Sequence, residues 1–213
     1  MTQRIAVIDY GMGNLRSVVK ALEHVAAGAE VRATDDPGFI ASADRVVFPG
    51  QGAARDCMAA IGEHRLNQAI LAAAAEKPFL GICMGLQVLL GRSEENGGTH
   101  LLELFSGEVR RFDGLAQGDQ GLPLKIPHMG WSEVRQVQSH PLWDGIADNS
   151  RFYFVHSYRV VPDDVTLIAA TTDYGVRFTS AIARDNLFAT QFHPEKSADV
   201  GLQLLQNFVN WSV

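Results

Sequence analysis

Short apolar runs, each giving way to an amphipathic stripe, recur through the first half of the sequence. Arg4–Tyr10 (RIAVIDY) is rich in β-branched residues and ends at Gly11-Met12-Gly13-Asn14. Beyond it, Leu15, Val18, Val19, Leu22 and Val25 fall on one helical stripe. Ala29–Ala33 and Arg45–Pro49 read as further strands, and Pro78–Ile82 as another that runs directly into a helical segment, MGLQVLLG. A strand that is apolar at nearly every position has two faces to bury. Helices alternating with such strands supply the cover, so the pattern predicts a parallel sheet clothed on both sides.

The second half has a different character. Phe105–Phe112, Trp131–Val137, Arg151–Tyr158, Val165–Thr171, Thr179–Arg184 and Leu187–Phe192 all read as extended, with a hairpin turn at ARDN (183–186) between the last two. A closing helix is predicted over Ala198–Trp211, with Leu202, Leu205, Phe208 and Val209 at helical spacing and Ser197 as its N-cap. Leu115–Pro123, rich in Gly and Gln, reads as a loop with no assigned role. No repeat and no linker divides the 213 residues. The expected architecture is a single α/β domain over 1–213, an open and mostly parallel sheet flanked by helices with an added antiparallel portion.

Composition narrows the function classes. Hydrophobic residues make up 46% and charged residues 20%, the balance of a soluble globular protein. No apolar run is long enough to span a membrane, and Asp9 and two glycines interrupt any signal-like stretch at the N-terminus, so a cytoplasmic setting is expected. A net charge of −6 argues against nucleic acid as the main partner, and Arg110-Arg111 reads as solvated surface. Gly11-Met12-Gly13 opens like a dinucleotide fingerprint, but Arg16 stands where the last glycine is needed, leaving a tight turn and a helix start. Cys57 and Cys83 are the two cysteines, and neither Cys-x-x-Cys nor His-x-x-x-His spacing occurs. A disulfide and a structural zinc site are therefore not expected.

That leaves a lone reactive thiol to consider. Gly81-Ile82-Cys83-Met84-Gly85 sets a cysteine between glycines where an apolar strand becomes a helix. This is the pattern of a nucleophile elbow, with the sulfur at a helix N-terminus that favours thiolate and the Met84 amide aimed at an oxyanion. The competing reading is a cysteine packed as a small apolar side chain, which is preferred for Cys57. Among seven histidines, His193 has the most suggestive setting, in Gln191-Phe192-His193-Pro194-Glu195-Lys196. A strand's exit would turn His193 and Glu195 to one face, so the carboxylate could hold one imidazole nitrogen while the other takes the thiol proton. A surface ion pair is the bland alternative. His128 and His156 compete as bases; His156 precedes Ser157-Tyr158 but has no carboxylate nearby in sequence.

Gly81-Ile82-Cys83-Met84-Gly85-Leu86-Gln87, followed far downstream by Phe192-His193-Pro194-Glu195, resembles the class I (triad-type) glutamine amidotransferases. Pro49-Gly50-Gln51-Gly52 is similar to that family's oxyanion loop; many members carry an apolar residue in place of Gln51, where the backbone holds the role. Tyr10-Gly11-Met12-Gly13-Asn14, Pro127-His128-Met129-Gly130-Trp131 and Lys196-Ser197 look like the glutaminase subunits of imidazole glycerol phosphate synthases, and the resemblance spans essentially the whole chain. It implies a flavodoxin-like fold and hydrolysis of L-glutamine to glutamate and ammonia through a thioester on Cys83, with His193 moving the protons and Glu195 orienting it. Backbone amides of Gly50, Gln51, Gly52 and Met84 would hold the oxyanion. Gln87 and the main chain of Ser157 and Tyr158 would bind the amino-acid end of glutamine. Asn14, Trp131 and Lys196 would face a cyclase partner of (β/α)8 barrel fold, in a heterodimer that uses the ammonia in histidine biosynthesis. No cofactor and no metal are implied. Two other readings stand beside it, a glutaminase of another amidotransferase pathway and a catalytically silent partner-binding subunit. The Pro127–Trp131 block speaks against the former and the complete Cys83, His193, Glu195 set against the latter.

Overall fold

The computed structural model describes residues 2–112 and 124–213, so the expected loop at Leu115–Pro123 lies outside the described residues. In chain order the first strands are β1 (Arg4–Ile8), β2 (Glu30–Thr34), β3 (Arg45–Gly50), β4 (Phe79–Cys83), β5 (Arg92–Ser93) and β6 (Thr99–His100). They are followed by β7 (Gly107–Arg111), β8 (His128–Gln136), β9 (Ser150–His156), β10 (Tyr158–Pro162), β11 (Ile168–Asp173), β12 (Arg177–Arg184) and β13 (Leu187–Thr190). The α-helices are α1 (Leu15–Val25), α2 (Pro37–Ser42), α3 (Ala54–Glu63), α4 (Asn67–Glu76), α5 (Met84–Gln87) and α6 (Ala198–Asn210).

In space the strands run β2-β1-β3-β4-β13-β12-β10-β7-β5-β6, with β11 joining β12 to β8 and β8 joining β9. From β2 to β13 every pairing is parallel. At β12 the sheet turns antiparallel, through the two-residue turn at Asp185-Asn186. This is the α/β architecture read from the sequence.

Period-2 alternation explains why the central parallel strands are apolar at nearly every position, while the edge strand β2 is largely exposed. Ile5, Val7, Val47, Leu80 and Ile82 pack with Val18 and Leu22 of α1 and with Leu204, Leu205 and Phe208 of α6. Their neighbours Ala6, Ile8, Val46, Phe48 and Phe79 pack on the other face with Ile40, Cys57, Ile61 and Ile70 of α2, α3 and α4. Each face has its own helical layer, which is what a parallel sheet requires.

Four elements differ from expectation. The helix at MGLQVLLG stops after one turn, because the carbonyls of Val88, Leu89 and Leu90 accept from the amides of Leu102, Phe105 and Glu103 instead. The extended run Arg151–Tyr158 is two strands broken at Ser157. Val165–Leu167 is a 3-10 turn, since Asp164 Oδ1 caps the amide of Thr166 at 2.9 Å and β11 starts only at Ile168. Ser197 precedes α6 but its hydroxyl does not cap it. It accepts from Tyr153 N at 2.9 Å and donates to the His193 carbonyl at 2.6 Å. On α6 itself, Leu204 is buried in place of the expected Leu202.

Candidate active site

Cys83 is the last residue of β4 and sits at φ 56°, ψ −103°, a region that non-glycine residues avoid. Its register partner on β3 is Gly50, so the oxyanion-like loop begins directly beside the sulfur-bearing residue. The turn is held by close approaches. A Cβ on Gly85 would lie 1.7 Å from the Phe48 carbonyl, and one on Gly81 would lie 2.7 Å from the Gly85 carbonyl. Only glycine fits at either place. Packing, rather than a long helix dipole, lifts the thiol, since α5 is only four residues long.

His193 arrives from β13 by a different geometry from the one expected. The strand ends at Thr190, and Pro194–Lys196 form a 3-10 turn with Pro194 in its first position. The turn, not strand periodicity, folds Glu195 back so that His193 Nδ1 donates to Glu195 Oε1 at 2.8 Å. The Glu195 side chain is only 1% exposed, so this pair is not a surface salt bridge. His193 Nε2 is buried and has no hydrogen-bond partner among the described residues. Burial alone would push the imidazole pKa down. The negative charge of Cys83 as thiolate and the hydrogen-bonded Glu195 carboxylate outweigh it and raise it to about 10. An imidazole so placed can hold the proton a thiol has given up and pass it on.

The backbone of His193 is fixed as tightly as its ring. Its amide donates to Tyr153 O at 2.9 Å, and its carbonyl receives the Ser197 hydroxyl that also binds Tyr153 N. Ser197 thus ties the turn to β9.

A cavity of about 400 Å³ opens above Cys83. Of the expected residues, Gln51, Gly52, Met84, Gln87, Ser157, Tyr158, His193 and Lys196 line it. Gly50 lies buried beneath this wall. Asn14 and Trp131 stand away from the pocket. Asn14 Nδ2 donates to Ser17 Oγ at 2.7 Å, while Trp131 is 44% exposed beside Met129, 63% exposed. The structure adds residues that sequence reasoning missed. Among the described residues, Glu95 is the one carboxylate on the pocket wall, and its other duty is to accept from Ala54 N at 2.7 Å. No sequence pattern marks it. Gln191, fully buried, brings its side-chain amide within 3.6 Å of Cys83 Sγ. Its only sequence signal is its place beside the His193 motif.

The competing histidines form the wall's support. The Tyr158 carbonyl can only accept, so the His156 Nδ1 that reaches it at 2.8 Å carries the proton. His156 Nε2 must then accept from His128 Nδ1 at 2.9 Å, and His128 Nε2 from the Ser132 hydroxyl at 2.8 Å. One proton per ring satisfies the chain. Burial agrees, lowering His128 to about 4 and His156 to about 3, so both are neutral. Cys57, the thiol read as structural, is fully buried in the core, and burial raises it to about 11. As a thiol it donates to Gln51 O at 3.4 Å. No cluster of His, Cys, Asp and Glu among the described residues is arranged to hold a metal ion.

The family described as "Glutamine amidotransferase class-I" matches residues 6–211. One full-length relative is the imidazole glycerol phosphate synthase subunit HisH of Dechloromonas aromatica, 60% identical over 98% of this chain and 97% of that protein. The same subunit of Methylococcus capsulatus is 59% identical over 97% and 96%. Among solved structures, PurLQS from Thermotoga maritima superposes with a TM-score of 0.71 at 19% identity, over 99% of both chains. A putative GMP synthase protein from Thermoplasma acidophilum gives 0.69 at 20% identity, over 99% of this chain and 94% of the other, a likeness of fold. The chain belongs to the class-I glutamine amidotransferases, in the family of the imidazole glycerol phosphate synthase subunit HisH.

Proposed function

We propose that this chain is the glutaminase subunit of an imidazole glycerol phosphate synthase and that Cys83, His193 and Glu195 carry its chemistry. The observation that carries the reading is His193 held through Nδ1 by Glu195 at 2.8 Å, its Nε2 without a partner among the described residues, on the wall of the cavity above Cys83.

The Cys83 sulfur attacks the side-chain carbonyl carbon of L-glutamine, its proton passing to His193 Nε2. The tetrahedral oxyanion is met by backbone amides of the Gly50–Gly52 loop and of Met84. Collapse breaks the C–N bond as His193 protonates the leaving nitrogen, giving ammonia and a γ-glutamyl thioester. Water, deprotonated by His193, then attacks the thioester, releases glutamate and restores the thiol. Glu195 holds the ring in one tautomer and stabilises its charged form. At the other end of the pocket, Gln87 and the main chain of Ser157 and Tyr158 hold the amino-acid end of glutamine. The Glu95 carboxylate complements its ammonium group.

The ammonia is consumed by a cyclase partner of (β/α)8 barrel fold, bound as a heterodimer, which forms imidazole glycerol phosphate and AICAR in histidine biosynthesis. Asn14, Trp131 and Lys196 belong to the docking face. Met129 and Trp131 give that face exposed apolar surface, and Lys196 reaches from it to the pocket wall. A dry passage to the partner keeps ammonia unprotonated and nucleophilic. Both cysteines are free thiols, in keeping with a reducing cytoplasm, and no helix among the described residues is long and apolar enough to cross a membrane.

The test is synthesis by the reconstituted pair. Cys83→Ala abolishes glutamine-dependent synthesis and leaves synthesis from ammonium salts intact. Glutamine use that survives this change removes Cys83 as nucleophile.

A further inference from the structure

Gln191 lies next to the catalytic motif, yet its side chain points away from solvent and into the floor beneath the sulfur. It is 0% exposed, and its backbone amide is bonded to Ser180 O at 2.9 Å, so β12 holds the main chain in place. Its side chain bridges two residues from the β4–α5 turn, accepting from Gln87 Nε2 at 3.0 Å through Oε1 and meeting Cys83 Sγ at 3.6 Å through Nε2.

The orientation of this amide follows from its neighbours. Gln87 also faces the Tyr158 carbonyl at 3.4 Å, which has no proton to give, so the Gln87 atom there is the NH2 group. The same NH2 faces Gln191, so the Gln191 atom turned toward it is the carbonyl oxygen. The NH2 of Gln191 is thereby left for the sulfur. The Tyr158 carbonyl is anchored in turn by His156 Nδ1 at 2.8 Å. A rigid acceptor at one end of the chain dictates that a donor stands at the other.

A donor aimed at sulfur has a chemical consequence. A thiolate has only acceptor capacity, so an N–H directed at Sγ stabilises the attacking form and holds the sulfur in one position. We propose that Gln191 is a further catalytic residue, whose side-chain amide hydrogen-bonds the Cys83 sulfur and keeps it as an aligned thiolate. Gln87 then acts twice, on the substrate and, through Gln191, on the nucleophile. This rests on Cys83 being the nucleophile, as proposed above.

The test removes the donor while preserving the volume. In Gln191→Met and Gln191→Leu, iodoacetamide alkylates Cys83 at neutral pH about tenfold to a hundredfold more slowly, the loss expected of one hydrogen bond to a charged group. Glutaminase kcat in the complex falls by a similar factor, while any change in KM for glutamine reports Gln87, which loses its Gln191 Oε1 partner in the same variants. Alkylation rates and kcat within about twofold of the unaltered chain in both variants overturn the proposal. A measurement on the unaltered chain is independent of how the variants fold. The side-chain amide resonances of Gln191 in an NMR spectrum shift when Cys83 is alkylated, and unmoved resonances overturn the proposal. Alkylation does not use glutamine, so failure here is distinct from failure of the Cys83→Ala test.

Discussion

The two halves of the sheet meet at the active site but are built on opposite principles. In the parallel half, β3 is buried at all six positions and β4 at all five, with a helical layer on each face. In the antiparallel half, β8 exposes every second residue, and its fully buried positions are His128 and Val134, the former paired across the strands with His156. The parallel half supplies the proposed reacting groups, since Cys83 ends β4 and His193 follows β13. The antiparallel half supplies the opposite wall, with Ser157 and Tyr158 at the break between β9 and β10. An apolar slab sealed on both faces cannot relax, which is what allows it to hold Cys83 at a strained φ of 56°. The β8–β9 pair, with one open face, can accommodate a buried polar network that shapes a pocket.

The largest effect expected from breaking this arrangement comes from the carboxylate that holds His193. Glu195→Gln keeps the shape but removes the charge that holds His193 protonated, and glutaminase kcat in the complex falls by about 10²–10⁴-fold. A loss under tenfold would remove Glu195 from the mechanism. Next is the slab itself. Gly85→Ala drives a methyl against the Phe48 carbonyl, which belongs to the middle of the sheet and cannot move aside. Denaturant unfolding should show a loss of about 3 kcal/mol or more, the upper end for overpacking. An unchanged midpoint would mean that the turn is softer than its contacts suggest.

The seam between the halves is weaker. Ser197→Ala leaves Tyr153 N and the His193 carbonyl without their shared partner, at a cost of about 1–3 kcal/mol. Chemical denaturation measures it, and Ser197→Thr should restore part of the loss if the hydroxyl is what matters. Solvent pH acts on the antiparallel wall through its two buried histidines. His128 and His156 have lowered folded values of about 4 and about 3, so between these and the ordinary imidazole value near 6.5 the unfolded chain binds more protons. Stability therefore falls as pH drops through that window and is fully present above it. Thermal melts from pH 7 to about pH 4.5 should show this decline, and His156→Gln should flatten it. A slope unaffected by that substitution would assign the acid sensitivity to other groups.

Much of the parallel half was legible in the sequence because its signals are local. Apolar runs ending in glycine, a stripe at helical spacing and a cysteine between two glycines each need only a few neighbouring residues to be read. The antiparallel half was legible in outline, but its breaks were not. The interruption at Ser157 depends on two strands pairing with different partners, β9 with β8 and β10 with β7. The early end of α5 depends on amides from residues 102–105 claiming its carbonyls. Glu95 escaped notice for the same reason: its carboxylate is held by the amide of Ala54, 41 residues away in the chain.

What the sequence determined by itself was which groups exist and which are locally paired: a thiol on a glycine-flanked turn, and a histidine two residues before a glutamate. Local sterics and covalent spacing suffice for that. Only the tertiary structure decided how these groups are turned and wetted. It placed His193 and Glu195 together by a proline-led 3-10 turn rather than by strand alternation, and it made Ser197 a tie between the halves rather than a helix cap. It also set Gln191 under the sulfur, with its amide oriented by a carbonyl on another strand. Hydrogen-bond direction and burial are properties of neighbours distant in the chain, and no reading of adjacent residues contains them.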